Sequence, residues 1–308
     1  MRCVGVVLSA VCMGLCVALC GLWEGAVEAH LGLHEEIVRL SLRLRKAPED
    51  VGLLLRRSDL YRRHGDIELA VADLRRVDRL SPKHPQRLLY WGRLWFSVGR
   101  WEEAEAALGE AKRAKVVSWE VYALLAQLLQ RKQRWEEALV AYKTSVRLRP
   151  QPHLYLAAGG IMEKKGRWEE AVRWYREGAG VLKGAVVLQL ALLEVLRKQG
   201  RWEEAIRVVE AAMLGLPVRA DGWMRRADLY ERMGKKDSAK KDRLLALEEV
   251  RGLLRRRPSS LNRGREVQIL WSLGRVEEAR RCVERWLRVY PKDAEGLRWQ
   301  ARLKGENR

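Results

Sequence analysis

Histidine and cysteine are the side chains of this 308-residue chain best suited to metal or nucleophilic chemistry, and it has five of each. Cys3, Cys12, Cys16 and Cys20 crowd into the first twenty residues, and only Cys282 stands apart. The histidines are His30, His34, His64, His84 and His153. His34 lies one helical turn after His30, with Glu35 beside it. With the chain cut after Ala29, His30 would offer a free amine and an imidazole. Together with the His34 ring, that set can hold Cu(II) or Zn(II). The competing reading is a polar N-terminus with no ligand, so no metal centre is assigned and His30 and His34 stand as the candidates. Beyond residue 29 there is no CxxC, GxSxG, HExxH or phosphate-loop pattern. Glu-Glu pairs are frequent, but they recur in one fixed register, which assigns them to helix starts rather than to acid–base pairs. No catalytic set and no cofactor are expected.

The elements that carry these residues begin with an N-terminal targeting segment. Residues 3–23 hold no charge and follow a single basic residue, Arg2. Val27-Glu28-Ala29 then places small residues where a signal peptidase reads them, predicting cleavage after Ala29. An uncleaved anchor is the alternative, because the apolar run is long enough to span a bilayer. A lipoprotein cut at Cys20 fits less well, since Leu19 precedes it. All three place the remaining chain outside the cytoplasm, periplasmic or secreted, or attached to a membrane through residues 3–23. After cleavage Cys282 alone remains, so no internal disulfide forms, and it reads as a small buried apolar residue.

Sixty Lys and Arg face forty Asp and Glu, a net charge of +20. Removing residues 1–29 takes away Arg2, Glu24 and Glu28 and raises the charge further. Such a balance favours anionic partners. Nucleic acid is disfavoured, because the tryptophans belong to the repeat described next rather than to an exposed stacking surface, and because export separates the chain from DNA. Attachment to anionic polymer or a membrane surface is the stronger electrostatic alternative.

Self-similarity organises the rest. Gly99-Arg100-Trp101-Glu102-Glu103-Ala104 recurs with Gln133 in place of the Gly at 133–138, and again at 166–171 and 200–205. Weaker copies lie at 65–70, 234–239 and 274–279. The closing Ala falls at 70, 104, 138, 171, 205, 239 and 279, in steps of 34, 34, 33, 34, 34 and 40. This period and pattern resemble the tetratricopeptide repeat family. Further positions match it: Leu54, Leu88, Tyr122, Tyr155 and Trp223 at the fourth place of each unit. Ser58, Gly92, Ala126, Gly159 and Ala227 fill the small eighth place, and Pro82, Pro150, Pro217 and Pro291 close units. Leu193 and Val267 depart from the small place, and Arg243 falls where an apolar residue is usual. The long sixth step predicts either a longer second helix or a basic loop near Arg255-Arg256-Arg257.

The resemblance implies an all-α, right-handed solenoid of seven helix-turn-helix units stacked on one another. The expected organisation is a targeting segment at 1–29 and a capping helix within 30–50. Units follow at 51–84, 85–118, 119–151, 152–185, 186–219, 220–259 and 260–291, and a final capping helix within 292–308, with Asp293 as its N-cap. Trp101, Trp135, Trp168 and Trp202 are expected to fill the seams between helices. The family further implies a non-enzymatic scaffold that binds a protein or peptide along the inner face of its first helices. On that face the register places Leu55, Arg62, Leu89, Arg93, Phe96, Gln127 and Arg131. It continues through Leu156, Lys164, Leu190, Arg197, Met224, Asp228 and Trp271. The leucines with Met224 form an apolar stripe, and Arg93, Phe96 and Trp271 are anchor candidates. A Lys/Asn clamp for a terminal carboxylate is not matched, since Leu55, Asp59, Leu89 and Arg93 hold those places. The expected partner is a protein segment of acidic character in the cell envelope.

Overall fold

A computed structural model of the chain describes residues 32–305, and the expectations for cleavage, anchoring and His30 fall outside them. Among the described residues there are sixteen α-helices and no strand. The chain is an all-α solenoid of helix-turn-helix repeats, whose described residues fall into two compact units, 32–149 and 150–305.

The first unit holds α1 (32–46), α2 (Val51–His64), α3 (Ile67–Leu80), α4 (Arg87–Ser97), α5 (Trp101–Arg113), α6 (Trp119–Arg131) and α7 (Trp135–Leu148). Pairs α2/α3, α4/α5 and α6/α7 are the repeats, and their first helices pack side by side. Apolar residues at helical spacing on α2 and α3 meet in a core of Leu54, Ala70, Leu74 and Val77, all fully or almost fully buried. Ile37, Leu40 and Leu44 of α1 join that core and cover its outer side. Arg57 fastens the three helices. Its Nε and Nη2 donate to both carboxylate oxygens of buried Asp73 at 2.8 and 2.6 Å, and Nη1 donates to Ser41 Oγ at 3.0 Å.

The second unit holds α8 (Pro152–Lys164), α9 (Trp168–Val181), α10 (Val186–Lys198), α11 (Trp202–Met213), α12 (Arg219–Arg232), α13 (Lys236–Arg256), α14 (Ser260–Ser272), α15 (Val276–Val289) and α16 (Ala294–Gly305). The long sixth step is resolved as helix: α13 runs 21 residues where the other repeat helices run 11 to 14. Arg226 and Asp242 repeat the Arg57–Asp73 fastening in the same register, at 2.7 and 2.8 Å. Asp293 accepts from the Glu295 and Gly296 N–H groups, both at 3.1 Å, as an N-cap does.

Each repeat turns on one left-handed residue. At the third repeat Gln133 takes that conformation, with φ 58°, where the other six turns use Gly with φ between 68° and 101°. In five of the seven repeats an Arg follows the turn and pairs with the Glu three residues on, as in Arg134–Glu137 at 2.5 Å, Arg167–Glu170 at 2.6 Å and Arg201–Glu204 at 2.7 Å. Charge at a helix start thus has two causes, the helix dipole and a local cation.

Arg243 turns out to follow a rule rather than break one. In the third repeat Tyr142 O–H donates to Gln130 Oε1 at 3.0 Å, and in the fourth Tyr175 O–H donates to Glu163 Oε1 at 2.9 Å. Arg243 holds the same register on α13 and donates to Glu231, the matching residue of α12. Burial pushes the Tyr142 hydroxyl up to about 12, and burial with Glu163 raises Tyr175, so both remain donors. A long cation reaches the same partner as a phenol does.

The turn tryptophans require a correction. Trp101, Trp135, Trp168 and Trp202 are half-buried, not enclosed in the seams. Trp101 meets Phe96 edge-on at 5.4 Å and lies under the Arg131 guanidinium at 4.2 Å; Trp168 lies under Lys198 Nζ at 5.6 Å. The cation belongs in both cases to the first helix of the following repeat, so the ring is shared between neighbours by cation–π contact.

Candidate functional site

The face made by the first helices of the repeats was the expected binding surface, and it is built differently in the two units. In the first unit Leu55 and Leu89 are 2% and 5% exposed, so the apolar stripe is core there and offers nothing to a ligand. Leu55 joins the core with Leu74 of α3 and Leu94 of α4, and Leu89 the core with Leu108 of α5 and Leu125 of α6. The charges of that face neutralise one another. Arg62 Nε donates to Asp59 Oδ1 at 2.9 Å, and Arg93 is paired with Glu120 and lies 4.0 Å from Asp59. Arg93 and Arg131 are therefore engaged rather than free anchors, and Phe96 packs on Trp101. Gln127 is half-buried on α6.

In the second unit the same face opens. A cleft of about 290 Å³ between α10 and α12 is lined by Glu194, Arg197, Arg225, Asp228, Glu231 and Arg232, over a floor of Leu193 and Leu229. A neighbouring cleft of about 300 Å³ lies between α12 and α14. It shares Arg225 and Asp228 and adds Met224, Arg265 and Gln268. Of the residues expected on this face, Arg197 lines the first cleft, Met224 the second and Asp228 both. Leu156 and Leu190 are half-buried and Lys164 is exposed, outside both clefts. Trp271 is packed against Trp299 of α16, with centroids 6.1 Å apart, and Arg302 stacks on it at 4.0 Å. It packs at the junction with the last helix.

Arg225 was missed, because it lies one place after the apolar fifth position, outside the register read as inward-facing. The signal available was Asp228, three residues on, since residues three apart share a helix face and both line the two clefts. Among the described residues, Arg197 and Arg265 of the four cleft cations are engaged in ion pairs, whereas Arg225 and Arg232 are not. Arg265 grips Asp221 at 2.7 and 2.9 Å, and Arg197 holds Glu194 at 2.9 Å. Arg225 is exposed and has no carboxylate within ion-pair distance among the described residues. Crowding in the cleft raises the Asp228 carboxyl above its ordinary value, against the pull of Arg243, although the side chain still meets solvent.

Among the described residues no group of three metal-ligating side chains exists. His34 lies 6.2 Å from the His64 ring, centroid to centroid, and His64 Nδ1 is 2.8 Å from Asp66 Oδ2. Nor is any described helix long and apolar enough to cross a membrane. Cys282 is buried and unpaired, and burial raises its thiol.

The tetratricopeptide repeat model matches residues 55–115, 89–153, 123–180, 190–260 and 265–303, well over half of the chain. The chain belongs to the tetratricopeptide repeat family. Solved structures similar to this tetratricopeptide repeat protein include YrrB, described as having an unusual peptide-binding site, at 15% identity and TM-score 0.45, covering 57% of this chain and 91% of that one. PilF of Pseudomonas aeruginosa is similar at 16% identity and TM-score 0.49, covering 69% and 94%. A tetratricopeptide repeat protein of Parabacteroides merdae is similar at 17% identity and TM-score 0.45, covering 82% and 98%. No curated protein matches the chain. Tetratricopeptide repeat proteins are generally non-enzymatic scaffolds for protein–protein interaction, and this fold supports that role here.

Proposed function

We propose that this protein is a non-enzymatic adaptor of the cell envelope that binds an acidic peptide segment of a partner along α10, α12 and α14. The uncharged run at residues 3–23, followed by Val27-Glu28-Ala29, supports the envelope placement. The observation that carries the binding reading is Arg225, an unpaired guanidinium at the junction of two adjoining clefts. Arginine with an apolar neighbour, here Met224, is the usual make-up of a binding hot spot. A carboxylate docked on Arg225 gains charge-assisted hydrogen bonds at a site already held open by the helix pairs. The Arg265–Asp221 and Arg197–Glu194 pairs flank it and restrict the approach to an extended segment.

The test is selection of a binder from a random twelve-residue peptide library on the full-length chain, followed by titration of that peptide into variants. Arg225→Glu should weaken it at least tenfold and Met224→Ala severalfold, with acidic residues enriched among selected sequences. Equal binding by the wild type and Arg225→Glu would place the peptide elsewhere and refute this reading. Binding that heparin removes and that ignores peptide sequence would instead favour a diffuse polyanion binder.

A further inference from the structure

The extra length of α13 creates a second pocket, on the side of the second helices and away from the clefts above. At 1.5 Å rise per residue, its seven residues beyond a regular 14-residue repeat helix add about 10 Å. They carry Leu254 and Arg255 alongside α14 and α15. The result is a pocket of about 640 Å³. Its apolar side is Leu254 and the buried Trp286, and its rim carries Arg255, Arg263 and Arg285. Arg251 is also present but spent, bonded to Glu266 at 2.9 Å and to Glu278.

The three rim cations differ from Arg251. Arg255 is exposed and has no carboxylate within ion-pair distance among the described residues. Arg263 stacks on the Tyr290 ring at 4.6 Å, and Arg285 donates to Cys282 Sγ at 3.4 Å, a weak acceptor. Four guanidiniums thus line the pocket with two carboxylates, both of which are bonded to Arg251, and Glu278 is shared with Arg275 as well. Like charges gathered beside an apolar floor repel one another, and an anionic occupant relieves that repulsion. The much larger groove of the first unit, about 1070 Å³ between α5, α6 and α7, lacks this imbalance, since Glu105, Glu137, Lys132 and Arg134 pair across it.

We infer that this pocket docks an acidic peptide segment carrying one large aliphatic side chain. Carboxylates would meet Arg255 and Arg285, and the aliphatic group would cover Leu254 and Trp286. The site is separate from the clefts of the proposed function and does not depend on them.

The experiment uses a fluorescein-labelled Glu-Glu-Leu-Glu-Glu peptide and the full-length chain carrying Arg225→Glu and Arg232→Glu, so that the first-helix clefts are already disabled. Binding is read by fluorescence anisotropy at low and moderate salt. This background should bind the peptide, and adding Arg255→Glu with Arg285→Glu should weaken it at least tenfold. Replacing the peptide leucine by glycine should weaken it severalfold, and Lys-Lys-Leu-Lys-Lys should not bind. Circular dichroism checks folding, and Arg255→Gln with Arg285→Gln gives the same readout if the charge reversals fail to fold. No binding in this background, equal binding after the double substitution, or equal binding with and without the leucine would each overturn the inference. Any of those results leaves the Arg225 clefts to be judged by their own titration.

Discussion

Gly178 on α9 offers a sharp test of how the repeats touch. A Cβ there would lie 2.7 Å from Cδ1 and Cγ of Tyr155 on α8 and 3.0 Å from Leu188 Cδ1 on α10. Carbon atoms rest about 3.5–4.0 Å apart, so the Tyr155 ring would have to retreat about 1 Å. It has no free space, being 1% exposed with its ring 4.9 Å from that of Trp174, which also donates its N–H to the Tyr155 carbonyl at 3.1 Å. Overpacking of this kind costs about 1–3 kcal/mol. Gly→Ala within a helix gains up to about 1 kcal/mol from propensity. Gly180 lies on the same helix, is exposed, and would place a Cβ with nothing within 4 Å. The difference between Gly178→Ala and Gly180→Ala therefore isolates the steric cost, about 1–3 kcal/mol. Urea unfolding followed by circular dichroism should show Gly180→Ala at or above the wild-type midpoint and Gly178→Ala clearly below it. Hydrogen exchange at α8 and α9 shows whether the loss is local, as stacked repeats allow. Equal midpoints for the two variants would refute the close-contact reasoning.

Two further outcomes follow from the same physics. Gln133→Gly removes a left-handed non-glycine residue, and thermal unfolding should show a gain of about 0.5–1 kcal/mol after the added freedom of the unfolded chain is deducted; an unchanged or lowered midpoint would count against a strained turn. Hydrogen bonds from Arg201 and Arg243 hold the Glu204 and Glu231 carboxyls below their ordinary value of 4.5. A depressed folded-state value stabilises the fold above 4.5 and loses that contribution as pH falls through the folded value. Melting scanned from about pH 6 down to about pH 3 should therefore show falling stability, less steeply in high salt because both carboxylates still meet solvent. A melting temperature that is flat or rises on acidification would contradict the pairing.

The fold was legible because each repeat states the same instruction in local terms. A left-handed turn residue, a charged helix start and a small residue at the helix contact each act within one helix pair, and their spacing survives in the sequence. The 40-residue step was legible as an insertion, but its form was not, since continued helix and basic loop satisfy the same residues. Arg243 read as an anomaly because sequence compares residue types, whereas the structure compares reach: Arg243 and Tyr142 end at equivalent partners.

The candidate surface was legible only in part. Register indicates the direction in which a side chain leaves its helix, and of the residues it put on the inner face Arg197, Met224 and Asp228 line the two adjoining clefts. It could not indicate how closely neighbouring helices approach, so Leu55 and Leu89 read as surface and are core. Nor could it show which side chains are already engaged, because Arg93, Arg131 and Trp271 find their partners on other helices. Sequence alone determined the helix periodicity, the turns and the excess of positive charge, since these depend on residues near one another in the chain. Tertiary structure alone decided which of those charges remain unpaired at Arg225 and Arg255, since that depends on side chains brought together from separate helices.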